Sequence, residues 1–409
     1  MFDSILIGMS GMEGFSKGLK VISNNVANLN TPGFKSSSLL FTDAYYQQGA
    51  AGDFKTDGDG QPTLFGSGLT TLSSVINFQP GEVQQTSNPL DVSISGNGYL
   101  VSQDKDGKSM AFTRDGQTQF DNDGNLVSTT TGKYILGYGS DSAQGLSKIS
   151  LAGLRTNPPK ATATATFSGN LTTGSATSAG TAPVDSTVTF AVNDALGGLH
   201  SLSAVFHNQG ASNPNQWTVT ISDGTTQVGI GTIGFIGGAP DPANDKITLN
   251  YTPAGGTASA ITLDFSSNVT SFNSGNLSNL AAASQDGFGA GSISTTTFDK
   301  DGKLTITYSN GQTATGAQLA LADFSATGDL QQQGGGEFTT TNSVHTSFGR
   351  ANTAGLGSIV SSQVEESNVD LSGEFSNLIV MQRGYQASSN ILSTANDMLQ
   401  ELFDMKGAR

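Results

Sequence analysis

The sequence predicts a multidomain α + all-β protein. An N-terminal and a C-terminal helix pair as a coiled coil, and two nested β-rich domains of sandwich or barrel type lie between them. Three observations predict this class. Apolar residues recur at steps of three and four at both ends, strand-like alternation fills the middle, and the composition shifts toward Ser, Thr, Ala, Asn and Gly near 145–180 and 271–296. The 409 residues are enough for two or three domains with a real core.

The first helix is predicted from an apolar seam in the first 30 residues. Seven of the eight seam positions are large and apolar, as in a coiled coil held for over three heptads: Ile5, Gly8, Met12, Phe15, Leu19, Ile22, Val26 and Leu29. The faces away from the seam carry Ser, Gly and Asn with few charges. The helix must stop at Thr31-Pro32-Gly33, because Pro32 holds the preceding residue extended and Gly33 accepts a positive φ.

The last helix shows the same spacing: Leu378, Met381, Tyr385, Ser388, Leu392, Ala395, Leu399 and Leu402. Ser367 and Asp370 resemble a capping box, which predicts a start near Asn368. Its other faces are also rich in Ser, Asn and Gln. Two interpretations remain open. Either both helices face solvent and pack on a core, or they pair and pack against copies of themselves, with the asparagines facing other subunits or a hydrated lumen.

The middle of the chain reads as β structure. Alternating or β-branched runs predict strands at 188–192, 202–206, 216–221, 246–251 and 303–308. Turns are predicted at the pairs Asp106-Gly107, Asp115-Gly116, Asp123-Gly124, Asp223-Gly224, Asp301-Gly302 and Asn310-Gly311.

The composition shifts set the predicted domain boundaries. Residues 1–70 with 360–409 form a terminal helical domain and its linker, 71–145 with 286–359 form an inner β domain, and 146–285 form an outer β domain.

Composition excludes several classes of function. The net charge of −15 argues against nucleic acid and anionic membrane surfaces as partners. The absence of Cys excludes disulfides and thiolate sites. No apolar run approaches the roughly 20 residues that span a bilayer, so membrane insertion is not expected. The N-terminus does not resemble a cleaved signal peptide, so we expect any export to use another route.

No motif predicts an enzyme or a cofactor. Residues 14–18 fit G-x-S-x-G but fall inside the helical seam, and 229–234 fit G-x-G-x-x-G without a helix to follow. Four acidic turns suggest calcium, but their spacing fails the EF-hand pattern, and hairpin turns explain them: DGDG at 57–60, DKDG at 104–107, DNDG at 121–124 and DKDG at 299–302. The three histidines, His200, His207 and His345, show no metal-binding spacing.

Both ends resemble a known family. NNVANLNTPGFK (24–35) and SNVDLSGEFSNLIVMQRGYQASSNIL (367–392) resemble the N- and C-terminal signatures of the bacterial flagellar rod, hook and hook-associated axial proteins. Residues 88–138 resemble the β domain that hook and rod members share. Rod members are much shorter and lack an insertion such as 145–285, so the length favours the hook branch.

The resemblance implies which residues act in assembly. The matched positions are Asn24, Asn25, Asn28, Pro32, Gly33, Phe34, Lys35, Asn368, Asp370, Leu371, Gln382, Arg383 and Tyr385. In the family, the two ends form the inner tube of a hollow axial polymer. The implied partners are copies of the chain, the rod, the hook cap, the hook–filament junction proteins and the flagellar type III export apparatus. The implied location is the extracellular hook of the flagellum.

Two departures and two alternatives accompany the resemblance. Gly384 interrupts the C-terminal signature mid-helix at a cost of about 1 kcal/mol, which close packing would offset. The acidic loop at 48–68 has no assigned role. A distal rod-type axial protein is one alternative function, and a secreted calcium-binding β-rich adhesin is another.

Overall fold

The computed structural model describes residues 2–44, 46–48, 64–66, 68–139, 145–174, 185–210, 213–275, 277–341 and 343–407. The chain divides into two compact units. Unit 1 comprises Met1–Leu151, Thr296–Thr305 and Thr315–Arg409, and unit 2 comprises Ala152–Thr295 and Ile306–Ala314.

Two long helices, α1 (Phe2–Ala27) and α2 (Leu371–Gly407), lie at the two ends of the chain, and strands occupy the part between them. The strands of the first part of unit 1 are β1 (Ser37–Asp43), β2 (Tyr46–Gln48), β3 (Leu64–Gly66), β4 (Leu69–Ile76), β5 (Val83–Gln85), β6 (Val92–Ser95), β7 (Tyr99–Gln103), β8 (Met110–Thr113), β9 (Thr118–Phe120), β10 (Leu126–Ser128), β11 (Tyr134–Tyr138) and β12 (Leu146–Lys148). The following strands are β13 (Thr156–Asn157), β14 (Thr164–Asn170), β15 (Ser186–Asn193), β16 (Leu199–Asn208), β17 (Gln216–Asp223), β18 (Thr226–Ile236), β19 (Ala239–Pro240), β20 (Lys246–Tyr251), β21 (Ser259–Asp264), β22 (Val269–Thr270) and β23 (Ala281–Gln285). The last are β24 (Gly291–Phe298), β25 (Lys303–Tyr308), β26 (Thr313–Phe324), β27 (Leu330–Gln332), β28 (Glu337–Thr340), β29 (Thr346–Arg350), β30 (Ser358–Ser361) and β31 (Gln363–Glu365).

The two helices pack antiparallel, as the predicted coiled-coil pairing requires. Gly11 of α1 lies against Ser388 of α2, and Gly18, two turns later, lies against Met381. Gly384 lies under the Phe15 ring, where an added Cβ would come within 2.6 Å of ring carbons. The close packing expected at Gly384 is therefore present. Neither of the described helices has the length and apolarity needed to cross a membrane.

The second helix is longer than the first, with 37 residues against 26. Ile22 and Ala395 are the seam side chains with almost no exposure. Leu402 lies beyond the start of α1 and is exposed, and Tyr385 is also largely exposed. Leu29 falls after the end of α1, which stops at Ala27.

Some of the small residues on the other faces of α1 contact strands of the same chain. An added Cβ at Gly14 would contact Phe41 of β1 and Thr71 of β4, and one at Gly18 would contact Phe41 as well. The β1–β4 ribbon therefore packs on the glycine face of α1. The glycines at these positions let a strand pair of the same chain approach the helix.

Unit 1 contains an antiparallel sheet in the order β26-β11-β7-β8-β28-β27, with β9, β10, β12 and β29 paired at its margins. Its core is aromatic and includes Tyr99, Phe112, Phe324 and Phe338. The Phe112 and Phe324 rings meet edge to face with centroids 4.8 Å apart. Two small pairs, β6–β30 and β5–β31, connect the C-terminal approach to α2 with the N-terminal half of the unit.

Unit 2 is a β-sandwich. One sheet is the antiparallel meander β15-β16-β17-β18-β19, and the other has the order β20-β21-β14-β22, with β23 beside β14. Strand β14 is parallel to β21 and β22 and antiparallel to β23. A cluster of 22 buried residues lies in this unit, and Trp217 and Phe265 in it have no exposure. The Thr/Ala-rich run near 164 is therefore a core strand rather than a linker, because its alternate residues Ala165 and Phe167 point inward.

The predicted strands at 246–251 and 303–308 match β20 and β25 residue for residue. The turn at Asp115-Gly116 is not a hairpin, because β8 pairs with β7 and β28 whereas β9 pairs with β10. Gly116 instead lies against the backbone of Val92.

Candidate functional site

The N-terminal signature begins with an asparagine turn at the end of α1. Asn28 donates from its side-chain amide to the Asn24 carbonyl at 2.9 Å, and Thr31 donates its hydroxyl to Asn28 Oδ1 at 3.2 Å. Gly33 has φ +69° and lies against the Arg114–Asp115 backbone, so no side chain fits there. The Gly33 N–H donates to the Glu365 carbonyl at 2.8 Å, which ties the turn to the C-terminal segment.

Asn25 of α1 has a buried side-chain amide. Its side chain is 1% exposed and bonds to two other elements. It donates to the Ser37 carbonyl at 2.8 Å and accepts from the Ser37 N–H at 3.1 Å, as a strand residue would. It also donates to Glu374 Oε1 of α2 at 2.8 Å. Asn25 therefore joins α1, β1 and α2, and a charged residue here would carry a large desolvation cost.

Lys35, the last residue of the N-terminal signature, is completely buried. Its ammonium donates to the Gln79 carbonyl at 2.7 Å and pairs with Glu365 Oε1 at 2.5 Å. The Gly81 N–H donates to the same carboxylate oxygen at 3.0 Å. Desolvation lowers the pKa of the Lys35 ammonium from its ordinary value, although the Glu365 carboxylate opposes this shift.

Arg114 completes a cluster that we call the ion triad: Lys35, Arg114 and Glu365. The Arg114 guanidinium binds Glu365 Oε2 at 3.1 Å and donates to the carbonyls of Ile94 and Gly96. It stacks over the Tyr99 ring at 5.1 Å, and burial raises the pKa of Tyr99 to about 12. The triad joins residues 330 positions apart in sequence, and each of its charges is at most 7% exposed.

Asn368 provides the matching contacts from the C-terminal signature. Its Oδ1 accepts from the Ser36 N–H at 2.7 Å, and its Nδ2 donates to the carbonyls of Asn77 and Gln79, each at 2.8 Å. Its own N–H donates to the Phe34 carbonyl at 3.3 Å. One side chain thereby holds the segment after the N-terminal signature beside the segment after β4.

The start of α2 differs from the predicted capping box. The helix begins at Leu371, three residues after Asn368, and Asp370 is its cap, with Oδ1 accepting from the Ser372 N–H at 3.0 Å. The Ser367 hydroxyl is buried and has no hydrogen-bond partner in the described part of the chain. Asp370 therefore caps the helix. The residues before it stay outside the helix, because Asn368 is bonded to Ser36, Asn77 and Gln79.

The signature and seam residues fall into three groups by position. Asn25, Gly33, Phe34, Lys35, Asn368 and Asp370 lie at the junction between helices and strands, together with the turn residues Asn24, Asn28, Leu29 and Pro32. Partly or fully buried helix positions include Ile5, Met12, Leu19, Ile22, Val26, Leu378, Leu392 and Leu399. The remaining positions, Leu371, Gln382, Arg383, Tyr385 and Leu402, are exposed on α2.

Sequence reasoning did not find Arg114, Glu365 or Glu374. Lys35 was a usable signal for an acidic partner. It ends the N-terminal signature, and a lysine that is buried there needs a carboxylate beside it. The partner itself was not readable, since it lies in β31 at the other end of the chain.

The remaining motifs have structural roles. Gly229 and Gly231 lie in β18, where the side chains of Leu249 and Ile247 of β20 pack on them. In the described acidic turns, the first Asp accepts backbone bonds, as Asp121 does from Asn125 and Asp299 from Lys303. The turn at 57–60, like most of the acidic loop 48–68, lies outside the described residues. No group of three His, Asp or Glu side chains in the described part of the chain is arranged to hold a metal.

Comparisons with known proteins match the same two ends. The family model "Flagella basal body rod protein" matches residues 5–35, and "Flagellar basal body rod FlgEFG protein C-terminal" matches 360–405. A third, "Flagellar hook protein FlgE/F/G D1 domain", matches 93–237. The flagellar hook protein FlgE of Borreliella burgdorferi is 30% identical over 446 residues, covering 99% of this chain and 100% of that protein.

This chain belongs to the FlgE family of flagellar hook proteins. The FlgE of Salmonella typhimurium is 28% identical over 437 residues, covering 97% of this chain and 98% of that protein. The crystal structure of Helicobacter pylori FlgE2 aligns with a TM-score of 0.46 and 14% identity over 68% of this chain and 98% of that chain. As an FlgE-family member, the chain is a structural subunit of the bacterial flagellar hook and not an enzyme.

Proposed function

We propose that this chain polymerises into a hollow, flexible tube that acts as a universal joint between the flagellar rod and filament. The seam and signature residues act in that assembly, with the paired helices as the inner wall. The rod, the hook cap, the hook–filament junction proteins and the type III export apparatus are the proposed partners, and export proceeds without a cleaved signal peptide to the outside of the cell. The FlgE relatives, which align over nearly the whole chain, support this proposal.

The observation that carries the proposal is the apolar surface that α2 leaves uncovered. Phe375, Val380 and Phe403 are 51%, 60% and 67% exposed, and Ile379, Ile391, Met398 and Met405 are also exposed. On α1, Leu6 and Met9 are 61% and 53% exposed. Large apolar side chains left exposed along both helices indicate an interaction site, and neighbouring helices of identical subunits would supply matching apolar side chains.

The junction gives this assembly its mechanical connection. The ion triad, Asn25 and Asn368 fasten both helices to the strands that follow and precede them. We infer that a load applied to the helices of the tube passes through these buried bonds into the β structure. Because the triad is buried, salt screens it far less than it screens surface contacts.

The nesting of the chain into three parts is also part of the proposal: 1–70 with 360–409, 71–145 with 286–359, and 146–285. Limited proteolysis of the monomer tests it, since an isolated helix pair is only marginally stable and its ends are cleaved first. Protected ends with early cleavage inside 188–250 would contradict the nesting.

A charge placed on the uncovered face of α2 tests the assembly. Val380→Asp leaves the monomer fold intact, since the side chain is exposed, but places a carboxylate in the apolar contact between copies. We expect a normal thermal melt, no polymer by electron microscopy and no motility. Asn396→Asp is the matched control, because it adds the same charge at an exposed polar position of α2. A polymer with normal swimming from Val380→Asp would overturn the proposal.

The intramolecular seam is tested by Leu392→Asp. Leu392 is partly buried against α1, where an added Cβ on Gly8 would lie 3.7 Å from its backbone nitrogen. We expect the helices to separate and the polymer to be lost, while the β structure melts as in the wild type. Helical circular dichroism together with electron microscopy measures both effects, and a normal polymer from this variant would count against the seam.

A further inference from the structure

Unit 1 contains a groove of about 550 Å³ that is separate from the junction residues and from the exposed surface of the helices. Its lining residues come from four segments: Gly139 after β11, the turn before β25 with the first residue of β25, the first half of β26, and the end of β29 with the loop that follows. Two cations line it, Lys303 and Arg350. Among the described residues, the ion pairs include neither of them.

The two acidic groups in and next to the groove, Asp301 and Asp299, already accept hydrogen bonds from this chain. Asp299 Oδ1 accepts from the backbone N–H groups of Asp301 and Lys303, at 3.0 and 2.8 Å. Asp301 Oδ1 accepts from Asn352 Nδ2 at 2.8 Å. Asp301 is the acidic residue that lines the groove, against two lining cations, so the lining has an excess of one positive charge on a chain with a net charge of −15.

Arg350 is held in a fixed orientation. Its guanidinium lies over the Tyr138 ring at 4.9 Å, and its Nε is buried with no hydrogen-bond partner among the residues that the structure describes. A buried donor without a partner is costly, which distinguishes this arginine from one that is simply solvated. The backbone beside it is also unusual, since Asn352 and Ala354 adopt φ +60° and +51°. Non-glycine residues in this conformation store strain and are found at binding sites more often than elsewhere.

We propose that this groove binds a carboxylate side chain of a second copy of this chain. A planar guanidinium can bind a carboxylate through two parallel N–H bonds, and the Lys303 ammonium lines the same groove. Charge complementarity points to a second copy as the partner, because the chain has 33 acidic and 18 basic residues and a cationic groove offsets the repulsion between two such copies. The inference rests on the proposed self-assembly and adds an electrostatic contact to it that lies away from the helices.

The assembly experiment compares the double variant Lys303→Gln/Arg350→Gln with Lys148→Gln. The control removes a cation of the same unit that also stacks on a tyrosine, Tyr134 at 5.0 Å, but does not line the groove. Sedimentation measures the critical concentration for polymer formation, and thermal melting confirms that each monomer folds. We expect the double variant to raise the critical concentration about tenfold at ~50 mM salt and much less at ~500 mM, with the control unchanged. An unchanged critical concentration in the double variant overturns the inference while the proposed function stands.

A second measurement does not depend on assembly. The Nε–H resonance of Arg350, assigned by its loss in Arg350→Gln, is followed while monomer is titrated with a tetra-aspartate peptide. We expect a saturable shift with tetra-aspartate and none with tetra-asparagine. No shift overturns the carboxylate site. A shift of the Arg350 resonance together with an unchanged critical concentration in the double variant overturns the second copy as the occupant. If the wild type forms no polymer at all, the proposed function and this occupant are overturned together.

Discussion

The sandwich of unit 2 encloses a large buried apolar cluster within the chain, whereas the paired helices bury few of their large apolar side chains. Leu263 of β21 is fully buried in the sandwich, and Val380 on α2 is 60% exposed, although both lie in regular elements. The sandwich has a second sheet to cover its apolar face. In the described part of the chain, α2 packs on α1, and the β1–β4 ribbon packs on α1 rather than on α2. A regular apolar pattern therefore tells how much surface needs a partner, but not whether the partner belongs to the same chain.

The two regions also differ in how they use buried polar groups. The cluster in the sandwich is apolar, whereas the junction below the helices contains the ion triad and the amides of Asn25 and Asn368. Buried ions contribute little net stability, but they fix which groups must meet. The junction thereby gains geometric specificity and the sandwich gains stability.

The largest expected effect comes from breaking the triad. Glu365→Gln leaves two buried cations without a counter-charge, so we expect unit 1 to lose about 3 to 5 kcal/mol of unfolding free energy. Hydrogen exchange in the segment 92–115 measures this loss. Glu366→Gln is the control, since Glu366 is a neighbouring, partly exposed carboxylate. Equal protection in both variants would show that the triad does not hold the junction.

The next effect is a cavity in the sandwich. Phe265 stacks on Phe167 with centroids 4.7 Å apart, so Phe265→Ala should cost about 3 to 4 kcal/mol. Trp217 is the single tryptophan and is buried in unit 2, so its fluorescence reports this unit alone. Phe272→Ala removes a ring that is 54% exposed and should change little. Similar losses in the two variants would contradict the contrast between the regions.

A smaller effect is expected at alkaline pH. The Tyr99 phenol has a pKa of about 12 in the folded protein and 10.0 ordinarily, because it is desolvated. Between pH 10 and 12 the unfolded state releases this proton first, so about 2 to 3 kcal/mol of stability is lost as the pH rises. Tyr99→Phe should abolish that loss. The difference in unfolding free energy between the two proteins separates the contribution of Tyr99 from that of Lys35. Parallel unfolding curves at ~pH 9 and ~pH 12 would refute the assignment.

The smallest effect concerns the start of α2. Asp370→Ala removes the side-chain cap of the Ser372 N–H and should cost about 1 kcal/mol, seen as faster exchange in the first turn. Asp370→Asn retains a capping oxygen and serves as the control. If both variants fray equally, the charge of Asp370 matters more than its cap geometry.

Periodicity and turn chemistry were sufficient to predict the fold class, since both depend on neighbours in sequence. Most seam residues of α1 and the strands β20 and β25 could be read in this way, as could the positive φ at Gly33, although α1 already ends at Ala27. The same reasoning predicted a turn at Asp115-Gly116, where Gly116 is needed for a close approach to the backbone of Val92. Local propensity cannot distinguish a turn from a contact between distant backbones.

The sequence by itself determined that the two ends are helices with matching seams, that the middle is β, and that the asparagine-rich signature ends in a turn. Only the tertiary structure decided that Asn25 pairs with Ser37 and Glu374, and that Lys35 meets Glu365 and Arg114. The physical reason is the range of the interaction. The apolar period of a helix or strand follows from the local backbone geometry, so it is written in consecutive residues. The buried charges of the triad are stable only beside partners that the fold brings from distant parts of the chain.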